Sequence, residues 1–256
     1  MVTDSPHFKR TELSREDRTA VLTLASDKVN ALDREVLDEI TAFVEFCQHD
    51  PGIGALVLTG AGNVFSAGLN VSEILANEKS YTDSLLASLE AALVGLFRCP
   101  LPTVAAVNGA AIAGGCLLAL ACDKRLMADE ARIGVTELRV GVALPVVAVE
   151  LLKHVCGTRA EQLMFDAGLL DAEEACRDGL AHQHLPRFEL QVAAMAAAEQ
   201  LASLDAGAYA LAKSSVRRAA LAAMEGSDPA VDRQVLEHWR ADGTRADLER
   251  LLAPKS

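Results

Sequence analysis

An uncharged run at residues 99–122, CPLPTVAAVNGAAIAGGCLLALAC, constrains the fold of this chain more than any other segment. Its length would suit a membrane-spanning helix, but Pro100, Pro102 and Gly109 would interrupt such a helix. Residues 103–107 are rich in β-branched side chains, which favour a strand. We therefore expect a buried strand, a turn and a buried helix in a protein that does not insert into a membrane.

Composition narrows the class of protein further. The chain has 256 residues, of which 51% are hydrophobic but only 4% aromatic, so the core must consist mainly of Ala, Leu, Val and Ile. This length suits one large domain, or a domain with an appendage, that can bury a core without the support of disulfides or metal ions. The formal net charge of −12 opposes binding to nucleic acid, since the phosphate backbone attracts cationic proteins.

The cysteines and histidines indicate neither disulfides nor a metal. None of the six cysteines forms a CxxC pair, and no histidine has metal-binding spacing such as HExxH. The first 17 residues are polar and lack the hydrophobic segment of a secretory signal. We expect reduced thiols, no metal site and a cytoplasmic location.

Strands and helices alternate through the first half of the chain. Asp33 is a candidate helix cap, because the apolar residues after it follow helical spacing. Parallel strands joined by helices require right-handed crossovers, which makes the fold class α/β. The predicted strands are residues 8–13, 19–25, 55–59 and 103–107, and the predicted helices follow Asp33 and span residues 81–97.

The second half is predicted to be mostly helical. Helices are expected from Pro145 to Cys156 and from Asp171, and the last 60 residues or so carry no strand signal. We therefore divide the chain into an α/β core at residues 1–195 and a C-terminal helical region at residues 196–256 that serves in oligomerisation.

Two loops of small residues each follow a predicted strand, FSAGLN at residues 65–70 and NGAAIAGG at residues 108–115. Small residues allow a ligand to approach backbone N–H groups, and two such loops together can form an oxyanion hole. For either loop alone, tight packing between a strand and a helix is the simpler interpretation. Glu137 lies in an apolar segment and is a candidate base, or a structural carboxylate paired with Arg132 or Arg139.

These segments resemble the crotonase, or enoyl-CoA hydratase/isomerase, superfamily. The resemblance rests on NAL at residues 30–32, FSAGLN at 65–70, AVNGAAIAGGC at 106–116 and the spacing of Glu137 between later glycines. It implies a crotonase-like core, a spiral of ββα units, followed by a helical appendage. It also implies an acyl-CoA thioester substrate with no separate cofactor, and a homotrimer or a dimer of trimers.

The resemblance assigns roles to individual residues. Ala67 and Gly114 match the two backbone N–H donors to the thioester oxygen, and Glu137 matches a catalytic glutamate. Lys28 is the cation expected near the CoA phosphates, whereas Lys213, Arg217 and Arg218 are weaker candidates. The segment lining the CoA thioester comprises Ala67, Gly68, Leu69 and Asn70.

Leu117 decides between the activities that the resemblance implies. It occupies the position of a second catalytic glutamate in hydratases, and it can neither hold water nor carry a proton. Moving a double bond from the 3-position to the 2-position of an enoyl-CoA requires one base, so an isomerase is the first prediction. The alternatives are a hydratase that recruits another acid, such as Asp83 or Glu90, and a non-catalytic acyl-CoA-binding protein.

Overall fold

The computed structural model describes residues 6–253, so residues 1–5 of the polar N-terminal segment and residues 254–256 lie outside it. Strands form two sheets. Within the described residues the strands are β1 (Thr11–Glu16), β2 (Thr19–Leu24), β3 (Ala55–Gly60), β4 (Val64–Ser66), β5 (Thr103–Val107), β6 (Ala110–Ile112), β7 (Lys124–Ala128), β8 (Ile133–Gly134) and β9 (Gln183–Leu185).

Helices connect the strands and dominate the second half of the chain. Short 3₁₀ helices occur at Glu137–Val140 and Gly157–Arg159. The α-helices of the described residues are α1 (Arg34–His49), α2 (Val71–Ala76), α3 (Lys79–Arg98), α4 (Gly114–Ala121), α5 (Val146–Cys156), α6 (Ala160–Asp166), α7 (Ala172–Arg177), α8 (Arg187–Ala202), α9 (Ala206–Glu225), α10 (Pro229–Arg240) and α11 (Asp242–Leu252).

The topology is a spiral of ββα units. The larger sheet has the order β1-β2-β3-β5-β7-β9, and the smaller has the order β4-β6-β8. Among the described strands only β1 and β2 pair antiparallel with each other, and the other strand pairs are parallel, although Ile133 of β8 also makes an isolated antiparallel bridge to Leu170. After β1, β2 and α1, three successive turns of the spiral each add one strand to the large sheet and one to the small sheet before a helix returns the chain. This arrangement confirms the predicted α/β fold class.

The long strands and the first helix agree with the sequence analysis. The predicted strands at residues 19–25, 55–59 and 103–107 correspond to β2, β3 and β5. Asp33 caps α1, since its carboxylate accepts a hydrogen bond from the Val36 N–H at 2.9 Å.

The first strand starts later than the predicted residues 8–13. The Glu39 carboxylate of α1 accepts hydrogen bonds from the Lys9 and Arg10 N–H groups and from the Thr11 hydroxyl. Residues 9 and 10 are thereby bound to a helix, and pairing with β2 begins only at Thr11. The last pair of this hairpin is Glu16 with Thr19, so the turn contains Asp17, which has a φ of 48°.

Helix α8 packs against β3, β5 and β7 of the large sheet. Its Ala194, Ala197 and Ala198 are buried against that face. The helix continues through residues 195 and 196, where the sequence analysis placed the start of the helical region. The assignment of residues 196–256 to oligomerisation stays a prediction.

None of the helices in the described part of the chain combines the length and the apolar character needed to cross a bilayer. All six cysteines are unpaired thiols, and Cys176 is the only one of them that is not buried.

Candidate active site

Three loops meet at the carboxyl ends of the three strands of the small sheet. Leu69 follows β4, Gly114 follows β6 and Glu137 follows β8. Because these strands are parallel and adjacent, the residues after them converge on one cavity of about 250 Å³. Its wall is almost entirely apolar, and includes Ala67, Ile74, Leu89, Leu117, Val142, Trp239, Leu248 and Leu251.

Glu137 opens the 3₁₀ helix Glu137–Val140 and points into this cavity, with 8% of its surface exposed. Its Oε2 atom is buried and has no hydrogen-bond partner among the described residues. Burial disfavours the ionised carboxylate and raises the pKa of Glu137 to about 7, although backbone hydrogen bonds partly oppose this shift. A carboxyl group with this pKa can both accept and donate a proton near neutral pH.

Leu117 of α4 lies in the same wall and is 1% exposed. Within the described residues, Glu137 is the only ionisable side chain that lines the cavity. Charged neighbours do not contribute to its pKa shift, so neither Arg132 nor Arg139 clamps it as a structural ion pair would. Glu137 and Leu117 therefore line one cavity, as the resemblance predicts.

Gly114 places a backbone N–H at the cavity wall. It is the first residue of α4, so its N–H has no acceptor within the helix. The preceding Ala113 has a φ of 53°, which is an unusual conformation for a residue with a Cβ atom. A Cβ built on Gly114 would lie 3.7 Å from the Leu69 nitrogen, so these two backbone segments are in contact.

The expected donor Ala67 requires a correction. Its N–H already donates to the Val29 carbonyl at 3.0 Å. In the neighbouring parallel bridge, Leu32 donates to Gly68 O and accepts from Asn70 N–H. The N–H of the residue between them, Leu69, consequently points away from Leu32 and towards Gly114. Leu69 rather than Ala67 is the partner of Gly114 as a candidate N–H donor.

Gly68 and Asn70 shape the loop without lining the cavity. Gly68 has a φ of 89°, and a Cβ atom there would lie 2.9 Å from the Ile112 carbonyl oxygen. Asn70 caps α2, since its side chain accepts a hydrogen bond from the Glu73 N–H at 3.2 Å. Both residues therefore hold Leu69 in position, and their predicted contact with CoA stays a prediction.

Lys28 is exposed beside this loop. The next residue, Val29, accepts the hydrogen bond from Ala67, which ties the Lys28 segment to the loop after β4. No ion pair of Lys28 occurs within residues 6–253. Its position is compatible with the predicted role near CoA phosphates.

Lys213 and Arg217 do not line this cavity, so within one chain they do not contribute to it. Both are buried on α9 and form ion pairs with Asp123, at 2.8 Å and 2.7 Å. Arg218 of the same helix is exposed.

The acids considered for a hydratase also lie outside the cavity. Asp83 forms an ion pair with Arg240. Glu90 lies on α3 near Asp232, in a separate groove.

Sequence reasoning missed the wall that α10 and α11 contribute. Trp239 of α10 lines the cavity and donates from Nε1 to the Ala143 carbonyl at 2.9 Å. Arg245 fastens α11 to the last carbonyls of α2, Ile74 O and Leu75 O, at 3.1 Å and 2.8 Å. In the sequence, the signal for this wall was Leu248 and Leu251, two apolar residues three positions apart on α11.

Comparisons with known proteins agree with this geometry. A family model described as Enoyl-CoA hydratase/isomerase matches residues 14–247. The chain belongs to the enoyl-CoA hydratase/isomerase family. A probable enoyl-CoA hydratase, echA8, from Mycobacterium bovis is 33% identical over 81% of this chain and 80% of its own length. Human mitochondrial enoyl-CoA delta isomerase 1 is 32% identical over 78% of this chain and 68% of its own length.

Solved structures of this family superpose closely. Human mitochondrial delta3-delta2-enoyl-CoA isomerase has a TM-score of 0.90 and 27% identity, covering 95% of this chain and 97% of that one. Bacillus halodurans enoyl-CoA hydratase, at 21% identity, shares the fold with a TM-score of 0.84 and coverage of 94% and 100%. As a member of this family, the protein is an enzyme that acts on acyl-CoA thioesters. Its relatives carry both hydratase and isomerase names.

Proposed function

We propose that this enoyl-CoA hydratase/isomerase family member is an isomerase that moves the double bond of a 3-enoyl-CoA to the 2-position. The observation that carries the proposal is that Glu137 is the only ionisable side chain lining the cavity of the described chain. The same cavity is lined by Leu117 at the position where a second acid would be required for hydration.

The reaction requires one group to move one proton. The Glu137 carboxylate removes a proton from C2 of the 3-enoyl thioester, and the electron pair moves towards the thioester oxygen to give a dienolate. The N–H groups of Leu69 and Gly114 donate to that oxygen, an interaction worth about 3 kcal/mol per donor in other enzymes. The same carboxyl group then returns the proton at C4, which forms the 2-enoyl thioester and regenerates the base.

An apolar wall favours this chemistry over hydration. Hydration of a 2-enoyl thioester requires a bound water that loses a proton while another proton reaches C2. Leu117, Leu89 and Ile74 offer such a water no hydrogen bond. The same dry surroundings keep the pKa of Glu137 near neutrality, where proton return is efficient.

A paired assay tests the proposal. Purified protein is given 3-hexenoyl-CoA and crotonyl-CoA separately, and Glu137→Gln is assayed in parallel. We expect the 3-enoyl thioester to be converted, with conversion lost in the variant and little hydration of crotonyl-CoA.

Other outcomes of this assay contradict the proposal in distinguishable ways. Efficient hydration of crotonyl-CoA that depends on Glu137 would establish a hydratase with a non-standard second acid. Binding of hexanoyl-CoA without turnover of either substrate would establish a non-catalytic acyl-CoA-binding protein.

We also propose Lys28 as a contact of the CoA phosphates, with CoA entering as part of the substrate and no separate cofactor. The resemblance further supports a homotrimer or a dimer of trimers, and the unpaired cysteines support a cytoplasmic location.

A further inference from the structure

A second cavity, of about 400 Å³, lies away from Glu137. It is bounded by α5, by α9 and by the segments that lead into β7 and β9. Asp123 directly precedes β7, so this cavity lies at the amino ends of the parallel strands. The catalytic loops follow the carboxyl ends of the small-sheet strands. A ligand here would not contact the proposed catalytic groups.

The walls of this cavity carry an excess of positive charge. Arg125, Lys213 and Arg217 are all buried in its lining, and Asp123 is the only carboxylate there within the described residues. Asp123 pairs with both Lys213 and Arg217. Three cations and one carboxylate leave two positive charges without a counter-ion, which is costly at buried positions.

Two histidines complete the lining and do not add to this charge at neutral pH. Burial, followed by the nearby Arg125, lowers the pKa of His182 to about 4. Burial, followed by Arg217 and Arg125, also lowers the pKa of His154. Nearby arginines contribute to both pKa shifts. The excess positive charge of the cavity therefore comes from Arg125, Arg217 and Lys213.

The cations retain donors that the protein itself does not use. Arg125 donates to the carbonyls of Leu180 at 2.8 Å and Cys122 at 2.7 Å, and its Nη2 lies 3.4 Å from His182 Nε2. Arg217 donates to the Phe97 carbonyl and to Asp123, and its guanidinium lies over the Phe97 ring. Lys213 donates to the Leu101 carbonyl and to Asp123, both at 2.8 Å. A guanidinium has five N–H donors and an ammonium has three, so unused donors remain on these groups.

We propose that this cavity is an anion-binding site that takes a phosphate group. A phosphate carries a charge of about −1.5 to −2 at neutral pH, which balances most of the two uncompensated charges, and its oxygens suit the N–H donors that Arg125 and Arg217 leave unused. Free inorganic phosphate and the phosphate of a nucleotide share this chemistry. A titration with each ligand separates the two sources.

The test is isothermal titration calorimetry of the full chain with inorganic phosphate at constant ionic strength, and separately with adenosine 3′,5′-bisphosphate. The informative variant is Val216→Glu, because Val216 lines the cavity, is 69% exposed and leaves every cluster residue in place. Its carboxylate should compete with the ligand and weaken binding about tenfold or more. The matched control is Leu211→Glu, on the same helix and 72% exposed but outside the cavity, which should change affinity less than about twofold.

Saturable binding of either ligand that is lost in Val216→Glu and kept in Leu211→Glu supports the site. Tighter binding of the bisphosphate would assign it to a nucleotide ligand, and equal binding to free phosphate. The proposal is wrong if neither ligand binds saturably below about 10 mM. It is also wrong if Val216→Glu and Leu211→Glu weaken binding equally, or if neither variant changes it.

Discussion

Asp123, which is partly buried, and Glu137, which is buried, are two carboxylates with opposite surroundings. Asp123, just before β7, accepts hydrogen bonds from the Thr103 N–H, the Tyr209 hydroxyl, Lys213 and Arg217. Glu137, just after β8, has an Oε2 atom without a partner in the described part of the chain. The first is surrounded by donors, whereas the second is surrounded by hydrocarbon.

This difference separates a structural acid from a candidate catalytic one. The donors around Asp123 join α9 to the amino ends of β5 and β7, so its charge serves the fold. The apolar wall around Glu137 gives no such compensation and raises its pKa to about 7. A carboxyl group that costs stability and titrates near neutrality is typical of an active site.

The largest expected effect comes from removing the unpartnered acid. Glu137→Gln should reduce kcat/KM for 3-hexenoyl-CoA by about 10³-fold, because no other ionisable side chain lines the cavity in the described residues. Binding of hexanoyl-CoA should remain. Steady-state kinetics and calorimetry measure the two effects, with exposed Glu161→Gln as control. A loss of less than tenfold would assign proton transfer to another group.

Removing the paired acid should affect stability instead. Asp123→Asn leaves Lys213 and Arg217 buried without a counter-charge, so the free energy of unfolding should fall by about 3–5 kcal/mol. Urea denaturation measures this loss. Asp166→Asn, at an exposed position, should stay within about 0.5 kcal/mol of the wild type. Equal effects at the two positions would contradict a structural role for Asp123.

The pH dependence of stability tests the environment of Glu137 directly. Its folded-state pKa of about 7 lies above the ordinary value of 4.5, so the fold disfavours the ionised form and loses stability as pH rises between these values. Relative to Glu137→Gln, the wild type should lose about 2.5 kcal/mol between pH 5 and pH 8. Urea denaturation at both pH values measures this difference. A constant difference would show that Glu137 has an ordinary pKa.

The smallest effect is expected from a single donor to Asp123. Tyr209→Phe removes a 2.9 Å hydrogen bond while the two ion pairs remain, so the unfolding free energy should fall by about 1 kcal/mol. The loss should vanish when the same substitution is made in Asp123→Ala, which removes the acceptor altogether. If it persists there, the hydroxyl acts through a different partner.

The sequence predicted the features that depend on local pattern. The long strands β2, β3 and β5 and the capped start of α1 follow from β-branched runs and from Asp33. The resemblance then brought Glu137 and Leu117 to one site, and both line the cavity.

Features that depend on contacts between distant segments could not be predicted. Strands β4, β6 and β8 have only two or three residues, too few for an alternating pattern. The direction of the Ala67 and Leu69 N–H groups is fixed by Val29 and Leu32, more than thirty residues earlier in the chain. A basic residue such as Lys213 gives no sign in the sequence that it will be buried against Asp123.

Helices α10 and α11 are the last parts of the cavity to be synthesised. Trp239, Leu248 and Leu251 complete the cavity wall, yet they leave the ribosome about a hundred residues after Glu137. Until they dock, the carboxyl group meets water and should behave as an ordinary acid. The reactivity of Glu137 therefore depends on helices that are made after it, and a nascent or clipped chain that lacks them would hold the complete catalytic set without its reactivity.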